Sequence, residues 1–311
     1  MPIIQKLDNI YRREGLRGLQ FSILRRLFPL RQSREMQEAA NFLSSRAFPR
    51  QSLTISSFLF FYLLHKTGTH RLFEAAARAR TAELTEQLTA IYGNRVQSGP
   101  FAGMELDDGR AYDWHRANKL LGCYEANLNT HLLKSVKRVP GTVVNVGCAE
   151  GYYAVGLARL LPDATVFAFD TDWNAGRCRQ TAELNGVSNR VVVNGLCTTE
   201  MLAHLVARAG RTLIFMDCEG GELELLDPAR VPLLASCDII VETHNYLDRS
   251  ITGTLLQRFA ASHAVELVES GGARAINQFA ELHSWRELDR WLLVSEGRPE
   301  TMNWLVCWSR Q

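Results

Sequence analysis

TVVNVGCAEGYYAVGLA, residues 142–158, is a β-branched apolar run that breaks at Gly147, turns through Cys148-Ala149-Glu150-Gly151 and resumes as an apolar stretch with helical spacing. Strand, glycine turn and helix follow in that order. Glycines at such a junction permit positive φ and leave no Cβ in the way, so a ligand can lie against the main chain at a helix N-terminus. A dinucleotide fingerprint needs a second glycine where Cys148 stands, which disfavours a nicotinamide cofactor.

Outward from this stretch, strands and helices alternate. Apolar strand runs at 142–147, 164–170, 190–194, 211–217 and 237–243 are each followed by a helical pattern, as in a parallel sheet with right-handed crossovers. Two late runs, 264–268 and 303–308, flank an insert with one amphipathic stretch at 284–293, and are expected to pair antiparallel at a sheet edge. The predicted fold is α/β, a Rossmann-like sheet of seven strands whose last two are antiparallel. Upstream, 1–95 reads as a helical N-terminal region closed by Tyr92-Gly93-Asn94-Arg95. Residues 96–140 read as a connecting loop or hairpin around SGPFAGM (98–104) followed by a helix over 117–136, and the Rossmann-like domain spans 141–311.

Composition bounds the function. With 311 residues, 46% hydrophobic and 22% charged, the chain can bury a full core. A formal net charge of +2 excludes a globally basic nucleic-acid binder. Seven cysteines without a CxxC pair point to reduced thiols in a cytoplasmic compartment. No signal peptide is visible, and the most apolar run, 55–64, is about half of the ~20 residues a membrane span needs. Residues 1–34 carry eight Lys or Arg against Asp8 and Glu14, with apolar residues at helical spacing. That pattern suits either a solvated face or peripheral contact with an anionic membrane or an acidic protein.

Chemistry-bearing residues gather at the predicted strand ends. Strand two ends in Asp170-Thr171, and a carboxylate there can accept both hydroxyls of a ribose. Asp172 is the better candidate to cap the following helix. After strand three, Leu196 and Cys197 are placed to lie against a flat ring. Strand four runs into Asp217-Cys218-Glu219-Gly220-Gly221-Glu222, and folding alone gives no reason to gather three carboxylates at the mouth of a sheet. Strand five delivers Glu242, His244 and Asn245 to the neighbouring edge. Such a group can serve as a general base on a hydroxyl, through Asp217, Glu242 or His244. Alternatively Asp217, Glu219 and Glu242 can hold Mg2+ or another divalent ion. Arg298 and Trp304 flank the last strand, with core packing favoured over ligand stacking.

NVGCAEGYY, FAFD, MDCEGGELELL and IIVETHN, in that order and spacing, resemble the FkbM-type branch of class I S-adenosylmethionine-dependent methyltransferases, marked by Asp-x-Glu-Gly-x-Glu on strand four. Here that segment is Asp217, Glu219, Gly220 and Glu222, and the similarity covers roughly 98–311, including LLGCYE (120–125). The resemblance implies S-adenosylmethionine as cofactor, held by Asn145, Gly147, Cys148, Ala149, Gly151, Tyr152, Asp170, Thr171, Leu196, Cys197 and Asp217. It also implies O-methylation of a hydroxyl on a sugar or small natural product, and is compatible with a homo-oligomer. Tyr124 and Glu125 are candidates to cover the cofactor or touch substrate. Asn145 stands where the family usually carries an acid. This departure supports the competing expectation of a non-catalytic binding or scaffold protein with the same fold.

Overall fold

The computed structural model describes residues 69–108, 115–208, 210–270, 276–298 and 300–311. The basic amphipathic pattern of 1–34 and the apolar run of 55–64 lie outside the described residues. The chain divides into two compact units, 1–77 and 78–311. Of the first, only the opening of helix α1 (Thr69–Tyr92) is described.

The second unit is built on a sheet of β1 (Thr142–Val146), β2 (Thr165–Phe169), β3 (Val191–Asn194), β4 (Thr212–Met216), β5 (Asp238–Thr243), β6 (His263–Glu269) and β7 (Asn303–Ser309). Their order is β3-β2-β1-β4-β5-β7-β6. The first five are parallel, and β7 is antiparallel to both its neighbours. The expected seven-stranded Rossmann-like sheet is therefore present, including the antiparallel pairing of the last two strands at its edge. Within that pair β7 lies between β5 and β6, so β6 forms the edge. Five of the seven residues of NWLVCWS, Trp304 to Trp308, are apolar and buried on both faces, whereas β6 exposes Glu266, Leu267 and Glu269.

Successive residues along each strand face opposite layers. Val143, Phe215, Ile240, Trp304 and Val306 belong to one core, shared with α4 (Tyr152–Leu160) and with Leu84 and Leu88 of α1. Val144, Ile214, Met216, Ile239, Val241 and Leu305 belong to the other, covered by α6 (Thr199–Arg208) and α8 (Ile251–Phe259). Between these helices in the chain lie α5 (Asp172–Leu184) and the single turn α7 (Glu222–Leu225). The insert before β7 carries α9 (Glu287–Val294), close to the expected amphipathic stretch.

The helix expected over 117–136 is broken. It forms α2 (Arg116–Leu121), a 3-10 turn at Ala126–Leu128 and α3 (Asn129–Lys137). Apolar periodicity runs across the break, but Gly122 is left-handed at φ 72°, and a Cβ there would stand 1.9 Å from the Ser98 carbonyl oxygen. The hairpin expected around 98–104 is a tight turn closed by the Arg95–Glu105 bridge, and it occupies the space a continuous helix would need. The break leaves Tyr124 and Glu125 in loop conformation rather than on a helix face.

Two helical glycines separate propensity from packing. In α8, Gly253 has open space at its missing Cβ, whereas in α4 a Cβ on Gly156 would lie 2.5 Å from the buried ring of Phe101. Gly253→Ala is expected to raise stability by up to about 1 kcal/mol through helix propensity. Gly156→Ala is expected to lower it by about 1–3 kcal/mol through overpacking, despite the same propensity gain. Denaturant unfolding of the two variants checks the opposite signs.

Candidate active site

The chain reverses its direction across the sheet between β1 and β4, and ligands of open α/β sheets bind outside the carboxyl ends of the strands at such a switch point. There the turn after β1 lies directly on the segment after β4. A Cβ on Gly147 would stand 1.6 Å from the Asp217 carbonyl oxygen, and Gly147 has φ 80°. Asp217 N–H donates to the Val146 carbonyl at 2.9 Å, while Gly147 and Cys148 N–H groups donate to the Phe169 carbonyl. Glycine turn, β2 end and β4 end are thus one hydrogen-bonded unit.

Within the turn, Ala149 and Gly151 also take positive φ, 46° and 96°. No side chain caps α4, so its first N–H groups remain available for an anionic group, as the helix dipole favours. Asp170 lies beside the turn: one carboxylate oxygen accepts from Ala149 N–H at 2.8 Å, the other from Thr171 N–H and Asn174 Nδ2. Asp172 makes no cap, and α5 begins on it. The N-cap residue is Thr171, which makes no side-chain cap bond, and Asp170 instead takes the Asn174 side chain.

The other predicted cofactor residues divide by exposure. Asn145 is fully buried, its Nδ2 donating across to the Phe215 carbonyl at 3.2 Å while its Oδ1 has no hydrogen-bond partner. Cys148 and Tyr152 are buried, Tyr152 against Phe101 and Tyr124, so these two offer main chain rather than side chain. Thr171 is exposed, Leu196 is 71% exposed and Cys197 is half-buried, forming the open side of the cleft.

The carboxyl ends of β4 and β5 bring Asp217, Glu242 and His244 together. His244 Nε2 lies 3.2 Å from Asp217 Oδ1 and 3.3 Å from Glu242 Oε2, and its Nδ1 is hydrogen-bonded to Glu222 Oε1. Burial opposes a charged imidazole, but hydrogen bonds to Asp217, Glu222 and Glu242 outweigh it and hold the His244 pKa well above its ordinary value. Burial, reinforced by the Asp217 charge, pushes Glu242 up to about 7. For Asp217 burial acts upward, yet its hydrogen bonds to His244 and Glu242 carry it below the usual carboxylate range. Asp217 is half-buried while Glu242 and His244 are buried beneath it, so Asp217 is the member that reaches open space.

Glu219 does not join this group. It is exposed, left-handed at φ 54°, and accepts from the Tyr246 hydroxyl at 2.6 Å. The divalent-ion set Asp217, Glu219 and Glu242 is therefore not assembled; His244 takes the third place, with Asp217, Glu242 and His244 donor atoms all within 4.8 Å of one another. Glu222, the last acid of the strand-four segment, is fully buried behind His244.

Of the residues that join the cluster, Glu125 was expected only as a cover for cofactor or substrate and Arg298 only as core packing, while Glu296 carried no expectation. Arg298, from the insert before β7, bonds Glu242 Oε1, Glu125 Oε1 and Glu296 Oε2. Glu125 is buried with φ 46°; its carboxylate also takes the Tyr153 hydroxyl, and its N–H donates to Glu296. Burial and then the Glu242 charge raise the Glu125 pKa well above its ordinary value. Half-buried Tyr124 packs among His115, Tyr152 and Tyr153. The sequence signal was slight: one Glu after a glycine, one Arg in an irregular insert.

No family model matches the chain, and no curated protein does. Among solved structures it is similar to the O-methyltransferase TomG from Streptomyces achromogenes, involved in tomaymycin synthesis and in complex with SAM, at 13% identity over 66% of this chain and 92% of that one, TM-score 0.41. An O-methyltransferase from Bacillus cereus in complex with SAH matches at 14% identity over 73% and 90%, TM-score 0.39. A cofactor-bound protein from MTB matches at 15% identity over 58% and 78%, TM-score 0.41. At these identities and scores the likeness assigns no chemistry to the chain.

Gly147→Ala is expected to lose at least about 3 kcal/mol of stability, because the added methyl meets the Asp217–Cys218 backbone and the left-handed φ suits glycine. Thermal unfolding of that single variant checks it.

Proposed function

We propose that the chain is an S-adenosylmethionine-dependent methyltransferase of the FkbM type, acting on a hydroxyl of a sugar or small natural product. The observation that carries this reading is the convergence of Asp217, Glu242 and His244 on the glycine turn after β1. The cradle fits the cofactor: a turn closed to any side chain at Gly147, uncapped amides at α4, a carboxylate at Asp170 and the unpartnered buried Asn145 Oδ1. When bound, S-adenosylmethionine supplies a methyl group on a sulfonium centre. Transfer of that methyl is an in-line substitution, so the protein's share is to align the two partners and take the nucleophile's proton.

Asp217 faces the acceptor hydroxyl and Glu242 lies beneath it, so the proton leaves through Asp217 to Glu242, whose pKa burial pushes up to about 7. Protonated His244 holds both carboxylates in place rather than acting as the base. Membership of the FkbM branch and the acceptor class rest on the motif resemblance.

The test is calorimetry with S-adenosylmethionine, followed by transfer of a tritiated methyl to a panel of free sugars, phenols and hydroxylated natural products. Binding plus labelling of at least one hydroxyl supports the reading, while absence of binding overturns it. Binding without labelling makes the chain a binding module, the alternative that Asn145 favours. Asp217→Asn and Glu242→Gln are each expected to slow transfer by about 100-fold or more, the usual contribution of a general base.

The sign of the pH dependence follows from the same pair. A base must be unprotonated, so transfer falls as pH drops through about 7, the Glu242 value, and that limb disappears in Glu242→Gln. A rate flat between pH 5 and 8 would contradict the assignment.

A second reading is favoured by the backing of His244. Glu222 on Nδ1 leaves Nε2 directed at Asp217 and Glu242, the arrangement of a carboxylate-oriented metal histidine. Asp217, Glu242 and His244 would then hold a divalent ion, which supplies Lewis acidity to a bound hydroxyl. Chelation separates the two: activity unchanged by EDTA is expected of the base mechanism, and loss restored by Mg2+ or Mn2+ of the metal one.

A further inference from the structure

Among the described residues, the carboxylates Glu125, Asp217, Glu222, Glu242 and Glu296 meet the cations Arg298 and His244. Arg298 alone touches three of the five, and its three contacts use Nε, Nη1 and Nη2 separately. Each acid comes from a different place: Glu125 from the loop after α2, Glu242 from β5 and Glu296 from the insert. The guanidinium is planar and always charged, with donors fixed in a fork; a lysine presents one point charge and cannot span three acids at set angles.

The two oxygens of Glu242 are divided by this contact. Oε1 is bonded to Arg298 and Oε2 faces His244 Nε2 at 3.3 Å. Removing the guanidinium would leave Glu125 and Glu242, which share it, as neighbouring buried carboxylates, and like charges so placed take up protons or move apart. Arg298 is itself held by a stitched segment. His115 Nε2 bonds the Glu296 carbonyl at 2.9 Å, Asn118 Nδ2 donates to the Ser295 carbonyl at 3.1 Å, and Glu125 N–H donates to Glu296 Oε1 at 3.1 Å.

We propose that Arg298 is the positioning residue of this site: it reaches in from the insert between β6 and β7, orients Glu242 so that one oxygen faces Asp217 and His244, and locks the loop carrying Glu125 over the carboxyl ends of the strands. The proposal rests on the methyltransferase reading and adds a residue that the strand-end motifs do not contain.

The experiment uses the full chain and the acceptor that the wild type labels most strongly in the panel above. Arg298→Ala is expected to cut the saturated transfer rate about 100-fold, while S-adenosylmethionine affinity, set by the glycine turn, stays within about threefold. Guanidinium ion added well below denaturing concentration is expected to restore the Arg298→Ala rate by about tenfold, and Arg298→Lys to recover less than that. Should Arg298→Ala fail to fold, Arg298→Lys carries the test, with the same loss of rate at unchanged cofactor affinity. A variant that keeps more than a third of the wild-type rate overturns the proposal alone, as does a rate that guanidinium leaves untouched while cofactor affinity collapses in parallel. A wild type that labels nothing withdraws the enzyme reading first and this proposal with it.

Discussion

The approach of Gly147 to the Asp217 carbonyl is the constraint on which the site depends. At 1.6 Å from where a side chain would begin, it permits glycine alone, and it fixes the turn after β1 against the strand that carries the first acid. Position in a Rossmann-like sheet usually comes from helix packing, which tolerates shifts of a few tenths of an ångström. Here it comes from main chain against main chain, with the Asp217 N–H to Val146 bond on the other side of the contact. The glycine turn and the first acid of the cluster are therefore set by one backbone junction.

Around that junction the electrostatics are organised by burial. Glu242 and Glu125 are pushed toward their neutral forms, and His244 and Arg298 toward their charged ones. A cluster with more acids than bases in a low-dielectric setting resolves its excess by sharing protons, and the half-buried Asp217 is where that exchange meets the outside.

What the sequence made legible was whatever sits where an apolar run stops. Gly147, Asp170, Asp217, Glu242 and His244 all fall at strand ends, and a parallel sheet collects strand ends at one edge, so linear spacing translates into proximity. Glu219 shared the motif of Asp217 and Glu222, but its left-handed backbone beside Gly220 turned it toward Tyr246, and no residue type announces such a turn. Glu125 and Arg298 reach the site from outside the alternation. One is placed by the Gly122 break that apolar periodicity runs straight through, the other by an irregular insert. The position of β7 was likewise hidden: local pattern identifies a strand, while its neighbours are decided by which edge can cover five consecutive apolar residues on both faces.

Insertion of β7 between β5 and β6 also bears on how the chain comes to be folded. The ribosome delivers β6 well before β7, and until β7 arrives β6 has no place in the sheet and β5 shows a bare edge. Long-range pairing of this kind is slow to form and leaves an edge open to wrong partners while it waits. The arginine that joins the acids lies shortly ahead of β7, so the acidic cluster is completed in the same late event that closes the sheet. A nascent chain stalled short of residue 298 would hold the glycine turn, the β4 acids and β5, yet lack the group that joins Glu125, Glu242 and Glu296.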